Sequence, residues 1–243
     1  MAQKSSQKGS QKSFLRVLAA TVALAAVVAA CQTHQAAPTQ AEIESTAMHA
    51  AQSADAAALQ RLKGWAAYGM PVAQRELGLI YRKQLAQRED AMRLLEHAGR
   101  SGDAEAAFAL GEMLRAGDPA AAWPWFKQAA EKKHAKAALA LGQMARNGDG
   151  VPRSDVEAAK WLAVASELGN PHAMFLLSNA YKDGQGVQRD AKRAHELLEE
   201  SAEHEYPPAL QELAMSVEGD DQLRASHLMK EATEHRRNNW NRF

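Results

Sequence analysis

Along most of the chain, alanines and leucines return at intervals of three to five positions instead of alternating, which is the spacing of one apolar face on an α-helix. Five segments share one pattern. Ala73, Ala106, Ala137, Ala173 and Ala209 are each followed four residues later by Leu77, Leu110, Leu141, Leu177 or Leu213. The next position is small each time, as Gly78, Gly111, Gly142, Ser178 or Ala214, and three residues further stands Tyr81, Leu114, Ala145, Tyr181 or Val217. Offsets 0, 4, 5 and 8 fall on one side of a helix.

A second set of columns follows each first one. Ala91, Ala122, Ala158, Ala194 and Ala225 lead to Leu94, Trp125, Trp161, Leu197 and Leu228 three residues on, and then to Ala98, Ala129, Ala165, Ser201 and Ala232. Offsets 0, 3 and 7 make a second amphipathic helix. The helix pairs recur in steps of 33, 31, 36 and 36 residues, so the fold class expected is all-α, an α-solenoid of about five helix-turn-helix repeats. Small residues where two helices cross let the backbones approach, while larger ones fill the groove alongside. Trp161 and Leu177 are accordingly expected to be buried.

The turns agree with this register. Asn147-Gly148-Asp149-Gly150-Val151 and Asp183-Gly184-Gln185-Gly186-Val187 place glycines where a helix must end in a left-handed conformation. Asp118, Ser154, Asp190 and Asp221 precede the second helices as N-caps. In Trp123-Pro124-Trp125 the proline falls inside a helix, where it removes a hydrogen bond. The tryptophans form either an aromatic shelf for a ligand or a core column with a partly exposed neighbour.

These columns and turns resemble the Sel1-like repeats, relatives of tetratricopeptide repeats whose pattern runs Ala, Leu-Gly, Tyr, Gly-x-Gly-Val, Asp, Lys-Ala, Trp, Ala-Ala and Gly. Residues 137 to 169 match best, through Ala137, Leu141, Gly142, Gly148, Gly150, Val151, Ala158, Trp161, Ala165 and Gly169; residues 173 to 205 are nearly as good. A weaker echo from Ala58 through Trp65 to Gly69 marks a diverged capping repeat. The repeats from Ala73 and Ala209 lack the glycine turn.

The N-terminus changes the picture. Lys4, Lys8, Lys12 and Arg16 precede an apolar run from Val17 to Ala30 broken by Thr21 alone. That order is the order of a secretory signal peptide, and the run is too short to span a bilayer. Val28-Ala29-Ala30-Cys31 resembles a lipobox, in which cleavage precedes a cysteine that is then acylated; an incidental cysteine beside an ordinary cleavage site is the alternative. The resemblance implies a lipid-anchored protein of the cell envelope, and Gln32 after the cysteine favours the outer membrane, facing the periplasm. The expected organisation is a lipoprotein signal peptide over 1–30 and a lipidated N-terminus with a flexible tether over 31–40. Capping helices or a diverged repeat over 41–69, the solenoid over 70–236 and a C-terminal tail over 237–243 follow.

Removing residues 1–30 takes 4 of 29 basic residues and none of 29 acidic ones. A mature chain with 25 bases and 29 acids is a poor match for nucleic acid. Cys31 is the single cysteine, so nothing after it can form a disulfide within the chain. No zinc-protease helix, nucleophile elbow or phosphate-binding loop is present, and no cofactor or metal is expected. The nine histidines are scattered without ligand spacing, most of them in solvent-facing phase. The run Glu196, Glu199, Glu200, Glu203 and Glu205 reads as a solvated helix face. The sequence is therefore not that of an enzyme. A hydrolase or β-lactam-binding protein resembling the cysteine-rich Sel1 proteins is disfavoured, because those proteins staple each repeat with cysteine pairs.

A binding function has better candidates. Offset 9 from the repeat alanine is Arg82, Arg115, Arg146 and Lys182, ending in Glu218, and offset 2 is Arg75, Phe108, Leu139, Phe175 and Gln211. Both project away from the core stripe, on the face that the resemblance makes the concave side, and stacking would give a basic ladder beside an apolar strip. The competing reading has the cations satisfying helix C-termini and the two phenylalanines packing between repeats. The expected partner is a protein or peptide with an acidic or C-terminal-carboxylate segment, beside a lipid bilayer reached through the N-terminal lipid.

Overall fold

In a computed structural model of the chain, the described residues are 37–53, 55–219 and 221–238. The expected signal peptide, the candidate lipidation site Cys31 and most of the expected tether lie outside them. The chain divides into two units, residues 1–42 and residues 43–243. In the first unit, Thr39 and Glu42 form a reciprocal cap: the Thr39 N–H donates to Glu42 Oε2 at 2.7 Å and the Glu42 N–H to Thr39 Oγ1 at 3.3 Å. These bonds hold the Glu42 carboxyl below its ordinary range, the Thr39 backbone bond contributing most.

Helix α1 (Gln40–Gln52) and helix α2 (Ala56–Ala67) precede five helix pairs. These are α3 (Pro71–Tyr81) with α4 (Arg88–Arg100), α5 (Ala104–Arg115) with α6 (Pro119–Glu131), and α7 (Ala135–Asn147) with α8 (Asp155–Glu167). They are followed by α9 (Pro171–Asp183) with α10 (Ala191–Glu203), and α11 (Pro207–Val217) with α12 (Gln222–Asn238). Each second helix packs back on its own first helix, and all but the last pack forward on the first helix of the next pair, which makes the described residues from 43 on an all-α solenoid. No strand occurs among the described residues.

The small column governs how each pair closes. A Cβ at Gly78 would stand 2.8 Å from Leu95 Cγ, at Gly111 2.7 Å from the Phe126 ring, and at Gly142 2.9 Å from Leu162. Leu95, Phe126, Leu162 and Leu198 sit at offset 4 of the second helices and are buried. The first three each wedge against the missing side chain of the facing helix. Where serine replaces glycine, the Ser178 hydroxyl donates to the Ala194 carbonyl at 2.7 Å, so the buried oxygen keeps a partner.

Leu177 is buried as expected, at 4 % exposure. Trp161 is only half-buried, because offset 3 lies at the edge of the stripe that offset 4 fills; its Nε1–H donates to Glu157 Oε1 at 2.8 Å. Trp123 and Trp125 pack against the core around Phe126, and a Cβ at Gly99 would meet Trp125 at 3.1 Å. Phe126, not Trp125, fills the core column there, and both tryptophans are half-buried against it. Gly148 and Gly184 end α7 and α9 at φ 81° and 74°, and Asp118, Ser154, Asp190 and Asp221 each accept a backbone N–H of the helix that follows.

Candidate functional site

Each first helix starts one turn after the previous second helix ends, and its N-cap residue therefore lies beside the preceding first helix. Those N-caps include Asp103, His134, Asn170 and Tyr206. The offset-2 side chains meet this column. Arg75 Nη1 donates to Asp103 Oδ2 at 3.0 Å. Phe108 stacks on His134 with ring centroids 4.4 Å apart, and Phe175 lies 5.6 Å from Tyr206. Leu139 is buried and shares a cleft lining with Asn170. Offset 2 thus joins one repeat to the next, and Phe108 packs against the core around Phe126.

The polar members of this face are correspondingly engaged. Arg75 is also bonded to Glu44 at 2.7 Å and to Glu76. Burial opposes its charge, but its hydrogen bonds to Glu76 and Glu44 and the nearby Asp103 outweigh it and raise its pKa. Arg115 reaches Asp149 at 3.5 Å and Lys182 reaches Glu212 at 2.8 Å, while Arg82 is exposed. Arg146 is half-buried, and Arg82 and Arg146 have no ion pair among the described residues.

Three of the eight candidates come together. Phe108, Arg115 and Leu139 line one cleft across α5, α7 and α9, with Glu112, Lys136, Gln143 and His172 around them. Arg75, Arg82, Phe175 and Lys182 are not part of it, and Arg146 opens on a second, narrower crevice beside α8.

Helix phase alone places most histidines toward solvent, and His134 and His172 depart from it. The His134 side chain is 16 % exposed; its Nδ1 accepts the Ala137 N–H at 3.1 Å as a cap, and its Nε2 lies 3.1 Å from Glu105. The hydrogen bond from His134 is the main reason that the Glu105 carboxyl is held below its ordinary range. His172 stacks on Tyr206 at 5.3 Å. Burial first, and the Arg146 charge second, lower its pKa. A histidine three residues before the repeat alanine stands where Asp103 and Asn170 stand in other repeats, and that is the sequence signal for His134.

No cluster of three or more His, Cys, Asp and Glu side chains converges to hold a metal ion among the described residues. No described helix is long and apolar enough to cross a membrane. The cleft sets Lys136 and Arg115 beside Phe108 and Leu139.

Comparison with known proteins identifies the repeat. A family model, the Sel1 repeat, matches residues 104–134, 135–170 and 171–206. A Sel1 repeat protein from Oxalobacter formigenes is 28% identical with a TM-score of 0.69, over 79% of this chain and 82% of that one. A protective antigen of uropathogenic Escherichia coli with an SLR fold is 23% identical with a TM-score of 0.69; it is matched over 81% of this chain, which spans 46% of the antigen. No curated protein matches.

Proposed function

We propose, on the premise that this is a Sel1-like repeat protein, that it is a membrane-tethered scaffold holding a protein or peptide partner along its first helices. The Sel1-like solenoid suits protein–protein interaction, and the function lies in what its faces bind. The observation that carries the reading is the cleft across α5, α7 and α9, where an apolar flank from Phe108 and Leu139 runs beside Arg115 and the exposed Lys136. An acidic extended segment would match both sides.

Lys136 lines that cleft and carries no ion pair among the described residues, so reversing it leaves the stacking contacts alone. Lys136→Glu is expected to keep the melting temperature within a few degrees. The variant should also weaken partner capture from envelope extracts at low salt, because steering by charge is strongest there. A folded variant that captures the same protein equally well at the same salt would remove the groove as the site.

The tether is the second part of the proposal. Val28-Ala29-Ala30-Cys31 supports cleavage before Cys31, acylation of its sulfur and an outer-membrane anchor facing the periplasm. The wild type is expected to incorporate labelled palmitate and to fractionate with outer membranes, and Cys31→Ser to do neither. Continued membrane partitioning of the serine variant would refute the lipid anchor.

A further inference from the structure

Four second helices are followed by another helix pair, and three of them have their first turn covered. At α4, Arg88 reaches out and donates to the Met113 carbonyl at 2.7 Å. Over α6 lies Gly150, where a Cβ would run into the Ala120 nitrogen, and over α8 lies Gly186, where it would run into the Asp155 carbonyl oxygen. Only backbone without a side chain can lie that close. The fourth helix, α10, begins at Ala191, which is too short to repeat the reach of Arg88. The turn from Val217 to Gln222 carries no Gly-x-Gly-Val segment to lie over it.

The consequence is a crevice of about 680 Å³ between α9, α10 and α11, against about 40 Å³ for the equivalent crevice one repeat earlier. Ala191, Leu198 and Met215 stand in it where Asp155, Leu162 and Asn179 stand in the earlier one. There the loop residue Gln185 completes the lining. His195 is exposed although its counterpart Ala159 is buried, and Met215 is 62 % exposed.

The loops of the earlier repeats also show which charge belongs here. Asp149, between the two glycines of the first loop, pairs with Arg115 at offset 9 of the preceding repeat. Gln185, between the glycines of the second, lines a crevice with the next cation of that register, Arg146. The third is Lys182, which lines the open crevice with its side chain 59 % exposed.

We infer that this crevice receives an extended Gly-Asp-Gly-Val-like segment of a partner protein. Its glycine backbone lies over the first turn of α10, its acid turns to Lys182 in exchange for Glu212, and its apolar side chain rests on Leu198 and Met215. The partner supplies by addition what the third loop would have supplied within the chain. This site and the first-helix cleft fail separately, since Ala191 and Met215 are not part of that cleft.

The probe is a synthetic peptide with the sequence of residues 147–153, added at up to millimolar concentration to the full chain labelled at its methionine methyls. The Met215 methyl resonance is expected to shift saturably while that of the buried Met144 stays in place. Ala191→Arg, which copies the side chain that α4 already carries, is expected to fold normally and to weaken binding about tenfold or more. Lys182→Gln is expected to weaken it several-fold, and a peptide with both glycines replaced by valine is expected not to bind. The inference is overturned by an unmoved Met215, by equal binding of the valine peptide, or by equal binding to a folded Ala191→Arg protein. A concentration-dependent Met215 shift without peptide, abolished by Ala191→Arg, would also overturn it, because the occupant would then be a second copy of this chain.

Discussion

A left-handed residue precedes every first helix of the five pairs, four positions before the repeat alanine: Gly69, Gly102, Lys133, Gly169 and Glu205. Three are glycine, for which positive φ is costless, while Lys133 holds φ 64° and Glu205 φ 59° against the clash of Cβ with the backbone. The backbone N–H of Lys133 donates to the Ala130 carbonyl, and its side chain is exposed, so nothing but the backbone explains its conformation. Lys133→Gly is therefore expected to raise stability by about 1 kcal/mol, the relieved strain less the extra freedom glycine has when unfolded. Urea denaturation would show it as a higher midpoint at unchanged slope, and a lower midpoint would mean that the lysine side chain holds the turn. This column is not legible as a column in the sequence, since two of its five members are not glycine. The Ala, Leu and small columns are legible because the helix crossing tolerates little else at those positions. The offset-4 wedge of the second helices is hidden for a related reason: Leu94, Trp125 and Trp161 one position earlier are equally apolar, and only the facing glycines show which of the two neighbours is enclosed.

At the scale of elements, the contacts between successive first helices are side chain against N-cap, and they differ in chemistry from one junction to the next. The first is a cation among acids at Arg75, the second a phenylalanine on a histidine, and the α9–α11 junction places His172 and Phe175 against Tyr206. The spacing of offset 2 shows that a face exists, but it cannot show that the next N-cap occupies it, because Asp103, His134, Asn170 and Tyr206 share no residue type. The α9–α11 junction carries a pH dependence. Burial lowers the pKa of His172 below its ordinary 6.5, with the Arg146 charge acting in the same direction. Below that ordinary value the unfolded chain takes up a proton that the folded chain resists, so stability is full above about pH 7 and falls as the solution is acidified. His172→Gln, which keeps a planar polar group without the proton, is expected to flatten that fall between about pH 7 and 5. Melting temperatures across this range would check it, and equal slopes for the two proteins would place the titration elsewhere.

Among the described residues from 43 on, the buried side chains form three clusters in chain order, Ile43 to Met113, Ala107 to Leu197 and Leu198 to Ala232. In such an array each pair is stabilised by its neighbours, and opening starts where a neighbour is missing. At the first cluster, Ile43 and Ala47 of α1 are buried among residues of α2 and α3, so that end is covered. At the last, α12 leaves Leu223 83 % and Met229 40 % exposed, and the crevice over α10 removes the brace that Gly150 and Gly186 give to α6 and α8. Native-state hydrogen exchange is therefore expected to open α11 and α12 first, at a free energy below that of the whole, and to leave the amides of α7 and α8 protected longest. The same exchange experiment on Ala191→Arg is expected to slow α11 selectively, since an arginine there can reach the carbonyl of Ser216 as Arg88 reaches that of Met113. Uniform exchange along the five pairs would show that residues 43–243 unfold as one cooperative body, and that the missing third loop has no bearing on stability.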